Sequence, residues 1–230
     1  MHYIIEGIVR AVQLIFSLDQ KVVSAVWISL RTSLTAVILA TIVGVPIGFL
    51  VAVYRFRGKQ PLVTLLNTLM ALPTVVVGLT VFAFLSRQGP LGSTGLLYTP
   101  TAMVIGQFIL ATPIIAALTH SAVQGIDPRV RDTALTLGAS RWQTALTISV
   151  EAKYAIMAAV IAGFGRVIAE VGSAMMLGGN IKGYTRTMTT AIALETSKGE
   201  FGLGIALGII LLVVAFSVNI LFQSLQRAKL

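Results

Sequence analysis

The polar stretch 127-DPRVRDTALTLGASRWQ-143 separates two long apolar segments of the chain. Asp127 is a favourable N-cap, and Pro128 suits the first turn of a helix. Gly138 stands where a helix end needs a left-handed residue, and Ser140 opens a capping-box pattern that starts a second helix. The stretch therefore predicts a helix, a sharp glycine turn and another helix, which together form a folded element and not a slack linker.

Apolar segments that are long enough to cross a bilayer lie on both sides of this stretch. A spanning helix needs about 20 mostly apolar residues. Hydrophobic residues make up 56% of the chain and charged ones 11%, whereas soluble domains carry roughly 25% charged residues. The composition predicts an integral membrane protein, and five long continuous apolar segments predict an all-α fold with five transmembrane helices. The five segments are 22–54, 61–85, 98–121, 154–177 and 201–226.

Residues 1–21 precede the first of these segments. Ile5, Ile8, Val12 and Ile15 recur there at helical spacing. The segment is too short and too charged to span a membrane. We expect an amphipathic helix that lies on the extracytoplasmic membrane surface, with a frayed terminal tail as the alternative.

The basic residues favour an N-terminus outside the membrane and a C-terminus inside it. The cytoplasmic segments would then hold nine lysines and arginines, and the outer segments seven. The cluster at 55–59 and the basic tail at 227–229 lean the same way, because charges close to the ends of spans count most. The predicted organisation is a transmembrane domain at 22–226 that includes a cytoplasmic loop at 122–152.

Within that loop, Asp132-Thr133-Ala134 is followed by Gly138 and, ten residues later, by Ile148. The spacing resembles the EAA loop of ABC importer permeases, which reads E-A-A, three residues, G, nine residues and I-x-L-P. Thr133 replaces the first Ala, and the terminal Leu-Pro is absent here. The resemblance implies a coupling loop that docks in a groove of a separate ATPase subunit. Its expected residues are Asp127, Asp132, Thr133, Ala134, Gly138, Ala139 and Ile148.

Further stretches narrow the resemblance, and they extend it over nearly the whole chain. They are 72-LPTVVVGL-79 with 86-SRQGPLG-92, 168-IAEVGSA-174, and 178-GGNI-181 with 185-TRTMTTAI-192. These resemble the permeases of tungstate importers, with molybdate and sulfate permeases as relatives. The resemblance implies a type I ABC importer permease fold, a multi-pass location in the cell membrane and a path for an oxyanion. Tungstate is the favoured anion, and molybdate and sulfate are the alternatives.

The same resemblance implies the partners. They are an ATP-binding subunit that uses ATP with Mg, an extracytoplasmic oxyanion-binding protein, membrane lipid and a second copy of the chain. The sequence has no Gly-rich phosphate loop that ends in Lys-Ser or Lys-Thr, so we do not expect an enzyme. No bound cofactor, metal site or nucleic-acid partner is expected either. A secondary transporter, which usually shows internal repeats, and a membrane enzyme or assembly factor remain as alternatives.

Two charged residues stand inside the fourth apolar segment. Arg166 and Glu170 are four residues apart, so we expect them to pair on one helix face. Charges at membrane depth are costly and often mark transport pathways. The pair either lines the translocation path or braces the helices as a structural ion pair. The predicted path residues are Pro73, Arg166, Glu170 and Gly172.

Proline and glycine predict how the spans are shaped and packed. A proline within each of three segments is expected to interrupt the span there and to permit a kink, with ordinary helix shape as the alternative, since proline is frequent in spanning helices. These residues are Pro46, Pro73 and Pro113. Glycines four residues apart let helices approach closely, and such pairs stand at Gly44 with Gly48 and at Gly204 with Gly208.

Overall fold

The computed structural model describes residues 2–227, which form α-helices, one short 3-10 turn and no β-strand. Lys229 of the predicted basic tail lies outside the described residues. The all-α prediction is confirmed for the described part of the chain. The helices are α1 (His2–Phe16), α2 (Gln20–Val53), α3 (Lys59–Leu69), α4 (Thr74–Leu85), α5 (Pro100–Gln124), α6 (Pro128–Thr136), α7 (Arg141–Glu151), α8 (Lys153–Ile168), α9 (Gly172–Gly178), α10 (Met188–Ser197) and α11 (Phe201–Arg227).

Three of these helices, α2, α5 and α11, are each long and apolar enough to cross a membrane alone. The count rises to five only when each of two bent pairs forms one span. The α3–α4 pair is bent by 96° and the α7–α8 pair by 63°. Helix α8 has 16 residues, which give about 24 Å of helix, so it is shorter than the apolar core of a bilayer.

The second and fourth segments are therefore not the single continuous helices that the sequence predicted. In the second segment, α3 ends at Leu69 and α4 begins only after Pro73, whose backbone is extended. A proline disfavours helical backbone at the residue before it, here Leu72, so the chain turns at this point. In the fourth segment, α8 ends at Ile168 and α9 begins at Gly172.

The interruptions predicted at Pro46 and Pro113 are wrong, because both residues lie inside continuous helices. Helices α2 and α5 pack against each other over much of their length. This contact holds both helices through the turns that contain proline. A proline inside a membrane helix is also tolerated because neighbouring groups satisfy the carbonyl that it frees.

Gly44 and Gly48 form the closest part of the α2–α5 contact, as the small-residue spacing predicted. A Cβ added at Gly44 would lie 3.0 Å from the carbonyl oxygen of Thr112. At Gly48 it would overlap the carbonyl oxygen of Ala116. The second predicted pair behaves differently, since a Cβ at Gly208 would have no atom within 4 Å.

The variant Gly48→Ala is therefore expected to destabilise the protein, whereas Gly208→Ala is not. Alanine favours a helix over glycine by roughly 1 kcal/mol, but at Gly48 the new methyl group meets backbone, which cannot rotate away. Overpacking of this kind costs about 1–3 kcal/mol. The thermal midpoints of the two variants, measured on the purified protein in detergent, should differ, with Gly48→Ala the lower. Equal midpoints would contradict the close α2–α5 contact.

The predicted N-terminal helix is present as α1, and it packs along α11. Gly7 lies against Ile205, and Ala11 is buried. Arg10 forms an ion pair with Glu200 at 3.8 Å, which ties α1 to the turn before α11. The position of α1 on the outer membrane surface stays a prediction.

Candidate functional site

The loop between the third and fourth segments folds as a helix-turn-helix elbow made of α6 and α7. The Asp127 carboxylate accepts a hydrogen bond from the Arg129 N–H at 2.9 Å and caps α6. Gly138 has φ +81° and ends that helix. The N–H groups of Gly138 and Ala139 donate to the carbonyls of Leu135 and Ala134, each at 3.0 Å, which is the double bond of a Schellman cap.

The second helix of the elbow begins with the predicted capping box. The Gln143 N–H donates to Ser140 Oγ at 3.3 Å, and the Ser140 N–H donates to Gln143 Oε1 at 2.7 Å. The two helices, their N-caps and the glycine turn that the sequence predicted for the elbow are thus confirmed. Its role in coupling to an ATPase is not tested by this geometry and stays a prediction.

Ile148 joins the elbow to the membrane helices. Its side chain is 7% exposed and packs in a cluster with Val123 of α5 and Ala152. Phe49 and Val53, at the end of α2, pack against the same cluster. This cluster connects α7 directly to the ends of α2 and α5.

The turn of the elbow exposes large apolar side chains. Leu137 is 83% exposed and Trp142 is 72% exposed, on either side of Gly138. Asp132 and Thr133 are also exposed, whereas Ala134 is buried between the two helices. Exposed apolar side chains that are grouped together mark surfaces for protein contact. Sequence reasoning missed Leu137 and Trp142, although their position next to the glycine turn was a usable signal.

The charged pair of the fourth segment forms as predicted, but across a break in the helix. Arg166 Nη1 lies 2.9 Å from Glu170 Oε2. Arg166 is in the last turn of α8, and Glu170 follows the end of that helix. The Glu170 side chain is 2% exposed, whereas that of Arg166 is 37% exposed. The carboxylate is thus enclosed by protein, and the guanidinium reaches a surface of the chain.

Glu170 is held by two further hydrogen bonds. Its Oε1 accepts from the Ser173 N–H at 3.0 Å, and its backbone carbonyl accepts from Thr189 Oγ1 at 2.7 Å. The neighbouring Met188 N–H donates to Ser29 Oγ of α2 at 2.8 Å. Sequence reasoning missed Thr189, Ser173 and Ser29. Ser173 and Thr189 lie in the stretches 168–174 and 185–192, but no local pattern indicates the bond between Ser29 and Met188, which are 159 residues apart.

The break between α3 and α4 lies against the break between α8 and α9, next to Glu170. A Cβ added at Gly172 would lie 3.1 Å from Thr74 Oγ1 and 3.5 Å from Glu170 Oε1. Thr74 is the first residue of α4 and directly follows Pro73. The structure therefore places Thr74, next to Pro73, against Gly172, which lies beside the Glu170 carboxylate that pairs with Arg166, although it does not test the role of these residues in transport.

The amino-acid sequence matches one family model and several known proteins. A family model described as a binding-protein-dependent transport system inner membrane component matches residues 44–229. The tungstate uptake system permease protein of Peptoclostridium acidaminophilum is 41% identical, over 99% of this chain and 100% of its own length. That of Campylobacter jejuni is 40% identical, over 99% of this chain and 95% of its own length.

Less similar proteins follow. A molybdenum transport system permease protein of Escherichia coli is 28% identical, over 83% of this chain and 90% of its own length. Among solved structures, a chain of an inward-facing methionine ABC transporter has a TM-score of 0.76 at 18% identity. The match covers 92% of this chain and 97% of that one. At this identity the likeness shows the fold alone.

Proposed function

Because this chain belongs to the family of binding-protein-dependent transport system inner membrane components, we propose that it is the permease subunit of an ATP-driven tungstate importer. The membrane location and the type I ABC importer permease fold are confirmed. One observation carries the choice of substrate. The chain is 41% identical to a tungstate uptake permease over 99% of its length, against 28% for a molybdenum permease. Molybdate and sulfate are therefore the weaker candidates.

The elbow formed by α6 and α7 is the proposed contact with the ATP-binding subunit. Leu137 and Trp142 enter a groove of that subunit, where their apolar side chains leave water. The subunit hydrolyses ATP with Mg, and its closure displaces α7. Ile148 passes the displacement to α2 and α5, because it is packed between their ends.

The membrane path forms between two copies of the chain, since a two-fold dimer is the commonest symmetric homo-oligomer. The N-terminus lies outside and the C-terminus inside, so the elbow faces the cytoplasm. An oxyanion-binding protein delivers the anion at the outer face, and lipid surrounds the remaining helix surfaces. Pro73, Arg166, Glu170 and Gly172 lie along the path where the two helix breaks meet.

Reconstitution with the cognate ATP-binding subunit and binding protein tests this function. We expect the ATP-binding subunit to co-purify with the chain, and tungstate to enter proteoliposomes only with hydrolysable ATP. Unlabelled tungstate should compete better than equal concentrations of molybdate or sulfate, and the binding protein should show the same preference. Vesicles that hold a non-hydrolysable ATP analogue are the control.

Two results would contradict the proposal. Uptake that persists without ATP and without the partner subunit would favour a secondary transporter. A binding protein that prefers molybdate or sulfate, with uptake to match, would keep the importer but change its substrate.

A further inference from the structure

We propose that Arg166 from each of two copies faces the shared path, and that the two guanidinium groups together form a transient subsite for one divalent tetrahedral oxyanion. This inference rests on the proposed function, because the site is incomplete without the second copy. It assigns to Arg166 direct contact with the anion, and to Glu170 and Thr189 the task of positioning it.

The exposed face of α8 differs from the other exposed helix faces. Beyond Lys153 at its start, the exposed positions of α8 carry only small side chains, at a spacing of three and four residues, whereas exposed positions of α2 and α11 carry large aliphatic and aromatic ones such as Ile42 and Phe216. Large apolar side chains suit contact with acyl chains, and small ones allow close approach of another helix. The small residues of α8 are Ala155, Ala158, Ala162 and Gly165, with Ala169 just beyond its end.

Arg166 lies beside this small-residue face, one turn after Ala162. A charged side chain at membrane depth faces protein or water and avoids acyl chains. Since 37% of the Arg166 side chain is exposed in the single chain, either the second copy or a water-filled passage must cover it. A symmetric contact brings a residue near the axis close to its own counterpart, so two guanidinium groups approach each other there.

The ion pair leaves Arg166 with hydrogen-bond donors to spare. Within the described residues it donates through Nη1 alone, to Glu170, while the guanidinium has five N–H groups. Glu170 cannot swing towards the path, because Ser173 and Thr189 hold its carboxylate and its carbonyl. Glu170 therefore anchors the guanidinium at Nη1, and the Nε and Nη2 donors have no partner among the side chains and backbone groups that the structure describes.

Two such groups suit a tetrahedral dianion. Each planar guanidinium presents a fork of N–H groups that matches two oxygens of an oxyanion. The charge of each Arg166 is already balanced by its own Glu170, so the pair recognises the anion mainly by hydrogen bonds. Binding that is weak enough to release the ion is what a conducting path requires.

The first test uses cysteine cross-linking of the assembled importer in membranes. The chain has no native cysteine, so Ala162→Cys reports only on its own position. We expect oxidation or a short bismaleimide to link two copies of Ala162→Cys, since a disulfide requires Cα atoms within about 7 Å. Ile42→Cys, which is 64% exposed on α2, is the control and should remain monomeric on denaturing gels.

The second test separates anion contact from bracing. Arg166→Lys keeps the charge next to Glu170 but loses the planar fork. If Arg166 contacts the anion, tungstate uptake by Arg166→Lys should fall by about tenfold or more. ATP hydrolysis stimulated by the loaded binding protein should stay close to the wild-type rate. For a bracing ion pair, Arg166→Lys would transport normally, and that result overturns the inference.

The outcomes also distinguish this inference from the proposed function. If the wild-type complex transports tungstate but Ala162→Cys forms no cross-link in any nucleotide state, the paired subsite is wrong and the permease function stands. If the wild-type complex takes up no tungstate with ATP, both are wrong. Cross-linking at Ala162→Cys together with the uptake defect of Arg166→Lys supports the subsite.

Discussion

The variant Gly138→Val is expected to release the ATP-binding subunit and abolish ATP-driven uptake. Gly138 has φ +81°, and a Cβ there would meet no atom within 4 Å. The cost therefore comes from backbone conformation alone, at about 1–2 kcal/mol for an ordinary residue and more for a β-branched one. One to two kcal/mol shifts the equilibrium constant between the correct turn and other conformations by roughly 5- to 30-fold. The measurement is the amount of ATP-binding subunit retained per permease after affinity purification.

Two matched variants control for this expectation. Asparagine tolerates left-handed backbone, so Gly138→Asn should keep most of the ATP-binding subunit. Gly199→Val imposes the same strain, at φ +83° and again with no atom within 4 Å, but in the turn between α10 and α11. It should leave ATPase retention at the wild-type level. Normal retention in Gly138→Val would contradict the coupling role of the elbow.

The variant Glu170→Gln is expected to lower both the amount of protein in the membrane and the uptake per molecule. Glutamine keeps the shape and an oxygen that accepts from the Ser173 N–H, so only the charge is lost. Breaking a buried ion pair costs about 3–5 kcal/mol, and the lower end applies here because Arg166 is partly exposed. Uptake normalised to permease content separates the two effects.

The double variant Arg166→Gln with Glu170→Gln makes the result decisive. It removes both charges, so no uncompensated charge remains, and the protein level should recover relative to Glu170→Gln. Uptake should stay low, because the guanidinium that meets the anion is gone. Recovery of both level and uptake would mean that the pair only braces the helices. Wild-type uptake in Glu170→Gln at a normal protein level would remove the pair from the path altogether.

The structure of the elbow could be predicted from local sequence patterns. Asp127, Gly138 and Ser140 predicted its caps and its turn, and each was confirmed. The prediction worked because every one of these bonds joins residues at most five positions apart. Backbone preference and capping chemistry decide such a structure before any tertiary contact forms.

The three prolines show that local sequence patterns do not predict every helix break. Pro73 stands in the break between α3 and α4, as the N-cap of α4, whereas Pro46 and Pro113 lie inside continuous helices. The local chemistry of the three residues is the same. The difference comes from the α2–α5 contact, where glycine lets two backbones approach, and this packing holds the helices that contain Pro46 and Pro113.

The sequence by itself determined the membrane class, the elbow and the pairing of Arg166 with Glu170. Each of these depends on composition or on residues that are neighbours along the chain. Only the tertiary structure decided that Glu170 is enclosed by Ser173 and Thr189, that Arg166 is left at the surface, and that Ile148 joins the elbow to α2 and α5. Those arrangements depend on which helices pack together, because burial and long-range hydrogen bonds are properties of the assembled fold.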